Sequence, residues 1–124
     1  MPKKILVIDD EEIIIKSLSR LLEKNVYEVF IAKNGQDAII MAEEGDFDLI
    51  LADIRMPGIS GVEAIESIYG NIKTANTKKP PVIFITGYAD DEIAEHAKSV
   101  NPIAYIYKPF DMPELVDKIK EVLG

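Results

Sequence analysis

Five short apolar runs, each followed by a stretch with helical spacing, constrain this chain more than any other feature. The runs are residues 5–8, 26–32, 49–52, 82–85 and 104–107. They are rich in Ile, Val and aromatic residues and mostly continuous rather than alternating, the pattern of strands covered on both faces, as in a parallel sheet. Residues 12–24 put Ile14, Leu18, Leu21 and Leu22 on one stripe, with Lys16, Arg20 and Glu23 off it. Residues 35–44 carry Ala38, Ile39, Met41 and Ala42 and stop at Gly45, a helix-terminating residue. Ser60-Gly61-Val62-Glu63 reads as a capping box opening a third helix. Asp90 caps a fourth, with Ile93, Ala94, Ala97 and Val100 on its inner side, and Asp111 caps a fifth carrying Leu115, Val116, Ile119, Val122 and Leu123. Residues 70–81, GNIKTANTKKPP, read as a polar connection.

Strict strand–helix alternation predicts an open, doubly wound α/β sheet, with right-handed crossovers placing helices on both faces. Such sheets bind ligands beyond the carboxyl ends of their strands, where the strand order reverses. The chemistry is therefore expected in the residues that end each strand. The first ends in Asp9 and Asp10, the third in Asp53, the fourth in Thr86 and the fifth in Lys108; the second ends in Ala32-Lys33-Asn34-Gly35, turn and cap chemistry only.

Composition narrows the function. The 124 residues fit one domain with one core, 48% hydrophobic and 29% charged. A formal charge of −8 argues against nonspecific binding to nucleic acid or anionic membranes and suits cation binding. With no cysteine there is no disulfide or thiolate metal site. No apolar stretch reaches membrane-spanning length, and the start is unlike a signal peptide, so the expected location is cytoplasmic. Three carboxylates converging on one rim repel one another unless a cation intervenes, and Mg²⁺ prefers such oxygen donors. Asp53 follows the most apolar run, where a carboxylate can act as a nucleophile towards phosphorus; Lys108 offers charge, Thr86 a hydroxyl, and Gly87 room for a tetrahedral group.

These pieces, VIDDE, LADIRMPGISG, FITGYA and YIYKPF, resemble in order and position the receiver domain of two-component response regulators. The likeness covers residues 3–123, so residues 1–124 read as a single receiver domain. It implies a flavodoxin-like five-stranded parallel sheet, order 2-1-3-4-5, in a three-layer (βα)5 sandwich. It implies Asp53 as phosphoacceptor, Asp9, Asp10, Asp53 and the backbone carbonyl of Arg55 as Mg²⁺ ligands (Mn²⁺ substituting), Lys108, Thr86 and Gly87 as phosphate-binding residues, and a cis Lys108–Pro109 bond. Thr86 and Tyr105 would form the switch, altering the surface of helix 4, strand 5 and helix 5. The expected donor is a phosphohistidine on a sensor histidine kinase or histidine phosphotransfer protein, and the expected recipient of the signal is an output domain or target protein. Such a chain is not an enzyme in the ordinary sense: it assists its own phosphorylation and dephosphorylation at Asp53. No nucleic acid or membrane is expected to bind it directly, and pairing through helix 4, strand 5 and helix 5 is a further expectation. Arg55 and Tyr88, each two residues past a key position, would shield Asp53 from hydrolytic water.

Two rivals use neighbouring chemistry. A phosphatase of the haloacid dehalogenase type needs a second acid two residues beyond a first-strand nucleophile, whereas here the first-strand acids are adjacent. A flavodoxin-type FMN carrier needs a Ser/Thr/Gly phosphate loop after the first strand, where residues 9–12 are all acidic. A receiver fold that no longer takes phosphate is opposed by the complete set of polar rim residues. His96, the only histidine, reads as a solvated helix position, Tyr107 and Phe110 as packing residues, and Lys73, Lys78 and Lys79 as a solvated loop.

Overall fold

The computed structural model describes residues 2–75, 79–87 and 95–123. In chain order the elements are β1 (Lys4–Ile8), α1 (Glu12–Lys24), β2 (Glu28–Ala32), α2 (Gly35–Glu44), β3 (Leu49–Asp53), α3 (Gly61–Ala75) and β4 (Val82–Thr86). A helical segment at 95–97 (α4) then runs into a 3-10 turn, Lys98–Val100, and β5 (Ala104–Tyr107) and α5 (Met112–Leu123) complete the chain. The five strands form one parallel sheet in the order β2-β1-β3-β4-β5, as expected from the sequence.

Side-chain alternation along the central strands feeds two cores. Leu6, Ile8, Ile50, Ala52, Val82 and Phe84 face α2 and α3 and meet Val62, Ile65 and Ile68 there. Ile5, Val7, Leu49, Leu51, Ile83 and Ile85 face α1 and α5 and meet Leu18, Leu22, Leu115 and Ile119. Covering on both faces is why β1, β3 and β4 read as unbroken apolar runs. The outer strands β2 and β5 are only half-buried.

Helix boundaries follow local chemistry. Ser60 Oγ accepts the Glu63 amide at 3.1 Å while Glu63 Oε1 accepts the Ser60 amide at 3.3 Å, the reciprocal pair of a capping box. Asn34 Oδ1 caps α2 through the Asp37 amide, and Asp111 Oδ1 caps α5 through the Glu114 amide. Gly45 ends α2 in extended rather than left-handed backbone, with its amide bonded to the Met41 carbonyl. On α1, Ile15 joins Leu18 and Leu22 in the buried stripe, whereas Leu21 is only partly buried.

Two expectations require correction. The second strand starts at Glu28, not at residue 26. Val26 (φ 68°) sits in left-handed backbone just past α1, its amide bonded to the Glu23 carbonyl and the Tyr27 amide to the Leu22 carbonyl. This is a Schellman turn, which uses up the residues expected to begin the strand. Residues 70–75 are helical rather than a connection, because Tyr69 and Ile72 extend the apolar stripe of Ile65 and Ile68 onto the core and outweigh Gly70. The expected cap Asp90, Ile93 and Ala94 of the fourth helix, Tyr88, Lys78 and the side chain of Lys73 lie outside the described residues.

Candidate functional site

Register assembles the site. Ile8 pairs with Ala52, so the next residues along, Asp9 and Asp53, leave neighbouring strands at the same height, at the point where the strand order reverses. Thr86 pairs with Tyr107, so Lys108 follows at the same rim; its amide donates to the Thr86 carbonyl at 2.8 Å, and the Lys108–Pro109 bond is cis, as expected. Gly61 brings α3 hard against this rim. Its amide donates to the Ile54 carbonyl at 2.8 Å, and a Cβ there would lie 2.0 Å from the Asp53 carbonyl oxygen.

The two buried acids are oriented alike. Asp9 Oδ1 accepts the Glu11 amide at 2.9 Å, and Asp53 Oδ1 accepts the Arg55 amide at a longer 3.3 Å. This leaves each Oδ2 facing Lys108, whose Nζ stands 3.2 Å from Asp9 and 3.1 Å from Asp53. A third carboxylate, Glu11 Oε1, is closest to the ammonium, at 2.6 Å. Asp10 is exposed beside them.

The electrostatics record a crowded negative site. Burial pushes the Asp53 carboxyl up to about 6; the Lys108 hydrogen bond opposes the rise and the charge of Asp9 adds to it. Asp9 is also raised, again chiefly by burial, against the Glu11 amide and Lys108. Burial works against the charge on Lys108, but Glu11, Asp53 and Asp9 together outweigh it and hold its pKa above the usual lysine range. One ammonium does not balance the carboxylates around it. Carboxylate oxygens from Asp9, Asp10 and Asp53 lie within 4.8 Å of one another, an all-oxygen donor set that fits a hard divalent cation.

Thr86 is buried at the end of β4, and Gly87 beyond it is exposed, with open space where a Cβ would be. Thr86 shares a sheet face with Phe84 by alternation, and Phe84 pairs with Tyr105, their rings 5.8 Å apart. Tyr105 is half-buried against the α3-side core and stacks on Tyr107 at 6.5 Å; burial, then Tyr107, raises its pKa. Arg55 is exposed.

The sequence-derived residues Asp9, Asp10, Asp53 and Lys108 thus converge directly, while Thr86, Gly87 and Tyr105 lie along the adjoining β4–β5 edge. A family model for the response regulator receiver domain matches residues 5–120. The chain belongs to this family. It is a receiver domain of a two-component response regulator, a phosphoacceptor switch. It is 33% identical over 124 residues to the polar-differentiation response regulator DivK of Brucella anthropi, covering 100% of this chain and 98% of DivK. It is 29% identical to the transcriptional regulatory protein PdtaR of Mycobacterium tuberculosis, covering 97% of this chain but only 56% of PdtaR. Among solved structures, a CheY-like response regulator receiver domain protein from Methanospirillum hungatei superposes with a TM-score of 0.88 at 33% identity, covering 98% and 93% of the two chains. Receiver domains of this family bind Mg²⁺ in the acidic pocket and interact with histidine kinases and output domains. Among the described residues no helix is long and apolar enough to cross a membrane.

Sequence reasoning missed Glu11 as a partner of Lys108. The signal was present in the run of four acids, but only two of them had been given a task. His96 is not merely solvated: its Nε2 lies 3.0 Å from Glu66 Oε1 on α3. Lys79 is an exposed loop position, as expected, and its ammonium also sits 5.2 Å above the Tyr69 ring, a cation–π contact.

Proposed function

We propose that Asp53 accepts a phosphoryl group from the phosphohistidine of a sensor histidine kinase or histidine phosphotransfer protein. The observation that carries this reading is the single ammonium of Lys108 bridging Asp53 and Asp9 at the switch point of the sheet. The Oδ2 of Asp53 leaves Lys108 and attacks phosphorus, the P–N bond of the donor breaks, the electron pair stays on the imidazole, and an acyl phosphate remains. Lys108, the Thr86 hydroxyl and the backbone at Gly87 are suited to hold the phosphoryl oxygens, and the open space at Gly87 accommodates a tetrahedral group. Asp9, Asp10 and Asp53, with the carbonyl of Arg55, would hold Mg²⁺, or Mn²⁺ in its place. The cation would supply charge neutralisation for the carboxylates and the transferred group. Because the receiver contributes these groups itself, it assists its own phosphorylation and dephosphorylation rather than acting as an enzyme on a separate substrate.

Thr86 turning towards the phosphoryl group would alter the space beside Phe84 and Tyr105, two residues along the same face. The readout surface is then that of α4, β5 and α5. There Tyr105, Tyr107, Phe110 and Leu115 help line a groove of about 710 Å³. An output domain, a target protein or a second copy of the chain would read it.

Intact mass after incubation with acetyl phosphate tests the chemistry. One added phosphoryl group that requires Mg²⁺ and is absent from Asp53→Asn is the expected result. A mutant that is still phosphorylated to the same extent rejects Asp53 as acceptor.

A further inference from the structure

Lys108 has three N–H donors, and three carboxylate oxygens take them. The three are not equivalent. The side chains of Asp9 and Asp53 are 2% and 6% exposed, whereas Glu11 is 55% exposed. Glu11 nonetheless makes the shortest contact. It also stands at the N-cap of α1, in extended backbone, yet its side chain makes no capping hydrogen bond. The carboxylate that could satisfy the helix end is committed to the lysine instead.

Bonding of Asp53 Oδ2 to phosphorus frees one donor of Lys108, and a phosphoryl oxygen that takes a second donor has to displace either Asp9 or Glu11. Releasing Asp9 would leave a buried carboxylate without its cation, which is costly. Releasing Glu11 returns an exposed carboxylate to water at little cost. Glu11 also adds a like charge close to the phosphoryl position.

We propose that Glu11 is a positioning residue that competes with the phosphoryl group for Lys108 and so weakens the phosphorylated state. The inference rests on the reading of Lys108 as the phosphoryl-binding lysine. Engagement of the lysine by phosphate is then an exchange, with Glu11 leaving as the phosphoryl oxygen arrives. Glu12, the next residue, is the natural control. It is equally exposed and carries the same charge, but it pairs with Lys33 at 2.5 Å.

The test is the affinity for beryllium trifluoride, a tetrahedral phosphoryl mimic, followed by fluorine NMR at saturating Mg²⁺ in wild type, Glu11→Gln and Glu12→Gln. Glu11→Gln is expected to bind the mimic about three- to tenfold more tightly, and Glu12→Gln to stay within about twofold of wild type. Unchanged or weaker binding in Glu11→Gln overturns the competition, and equal tightening in both variants shows a general charge effect and overturns it too. Phosphorylation of the same wild-type sample by acetyl phosphate separates the two levels. A wild type that is phosphorylated with no gain in Glu11→Gln sinks only the role of Glu11, whereas a wild type that takes neither phosphoryl group nor mimic sinks the site reading with it.

Discussion

The two ends of the sheet are built on opposite terms. At the amino end, polar groups are met by single backbone partners: the Tyr69 hydroxyl donates to the Pro80 carbonyl at 2.7 Å, the Asp48 carboxylate accepts the Lys4 amide at 2.8 Å, and the Schellman turn at Val26, joined by the Asn25 side-chain amide on the Leu21 carbonyl, closes α1. Burial raises Tyr69 to about 12, so it stays neutral across the physiological range. At the carboxyl end, three carboxylates share one lysine and the pKa of Asp53 rises to about 6. These amino-end groups each have their own partner; the carboxyl end holds unbalanced charge that a cation and a phosphoryl group can relieve. The difference places stability and function at opposite ends of the same strands.

Breaking the carboxyl end mechanically should have the largest effect. In Gly61→Ala the new Cβ meets the backbone of Asp53 and Ile54, which has no flexible end to move aside. A loss of about 3 kcal/mol in urea unfolding is expected, together with impaired phosphorylation because Asp53 is displaced. Removing the cation comes next. Lys108→Met should cost about 2 kcal/mol at pH 7, a loss that shrinks in acid, as Asp9 and Asp53 take up protons, and in saturating Mg²⁺.

Removing a charge should work in the other direction. Asp53 titrates higher in the folded state than its ordinary value of 3.8, so the native state binds the extra proton between about pH 4 and 6. Wild-type stability without divalent cations should therefore decline as pH rises through that window. Asp53→Asn lacks the penalty but loses a Lys108 contact, and should be about 1 kcal/mol more stable than wild type at pH 7, with the advantage gone near pH 4. A variant that is less stable at pH 7 would show that the lysine contact outweighs burial. The smallest effect belongs to the amino end. Val26 is β-branched, 75% exposed and left-handed, so Val26→Gly should stabilise by about 0.5 kcal/mol without pH dependence and without change in phosphorylation. Thermal melts at several pH values check both.

The sequence carried the part of this contrast that depends on periodicity and on local caps. The bounds of α1, the capping box at Ser60, the cap at Asp111 and the convergence of Asp9, Asp53 and Lys108 all follow from spacing plus the rule for parallel sheets. What it did not carry depends on side-chain reach or on a competition between local signals. Glu11 meets Lys108 across 97 positions of chain, and His96 meets Glu66 across 30, contacts that no local pattern encodes. Val26 looked like the start of a strand because β-branched residues favour strands, but the helix-ending hydrogen bonds outweighed that preference. Gly70 looked like a helix end, yet the apolar stripe through Ile72 carried α3 to Ala75.

Borohydride trapping followed by peptide mapping tests the central claim most directly. The reagent reduces an acyl phosphate to an alcohol and so marks the phosphorylated position. After acetyl phosphate and Mg²⁺, the account predicts homoserine at position 53 and unmodified aspartate at positions 9 and 10. Reduction at Asp9 or Asp10, or a phosphorylated protein with no reducible position at 53, would contradict it.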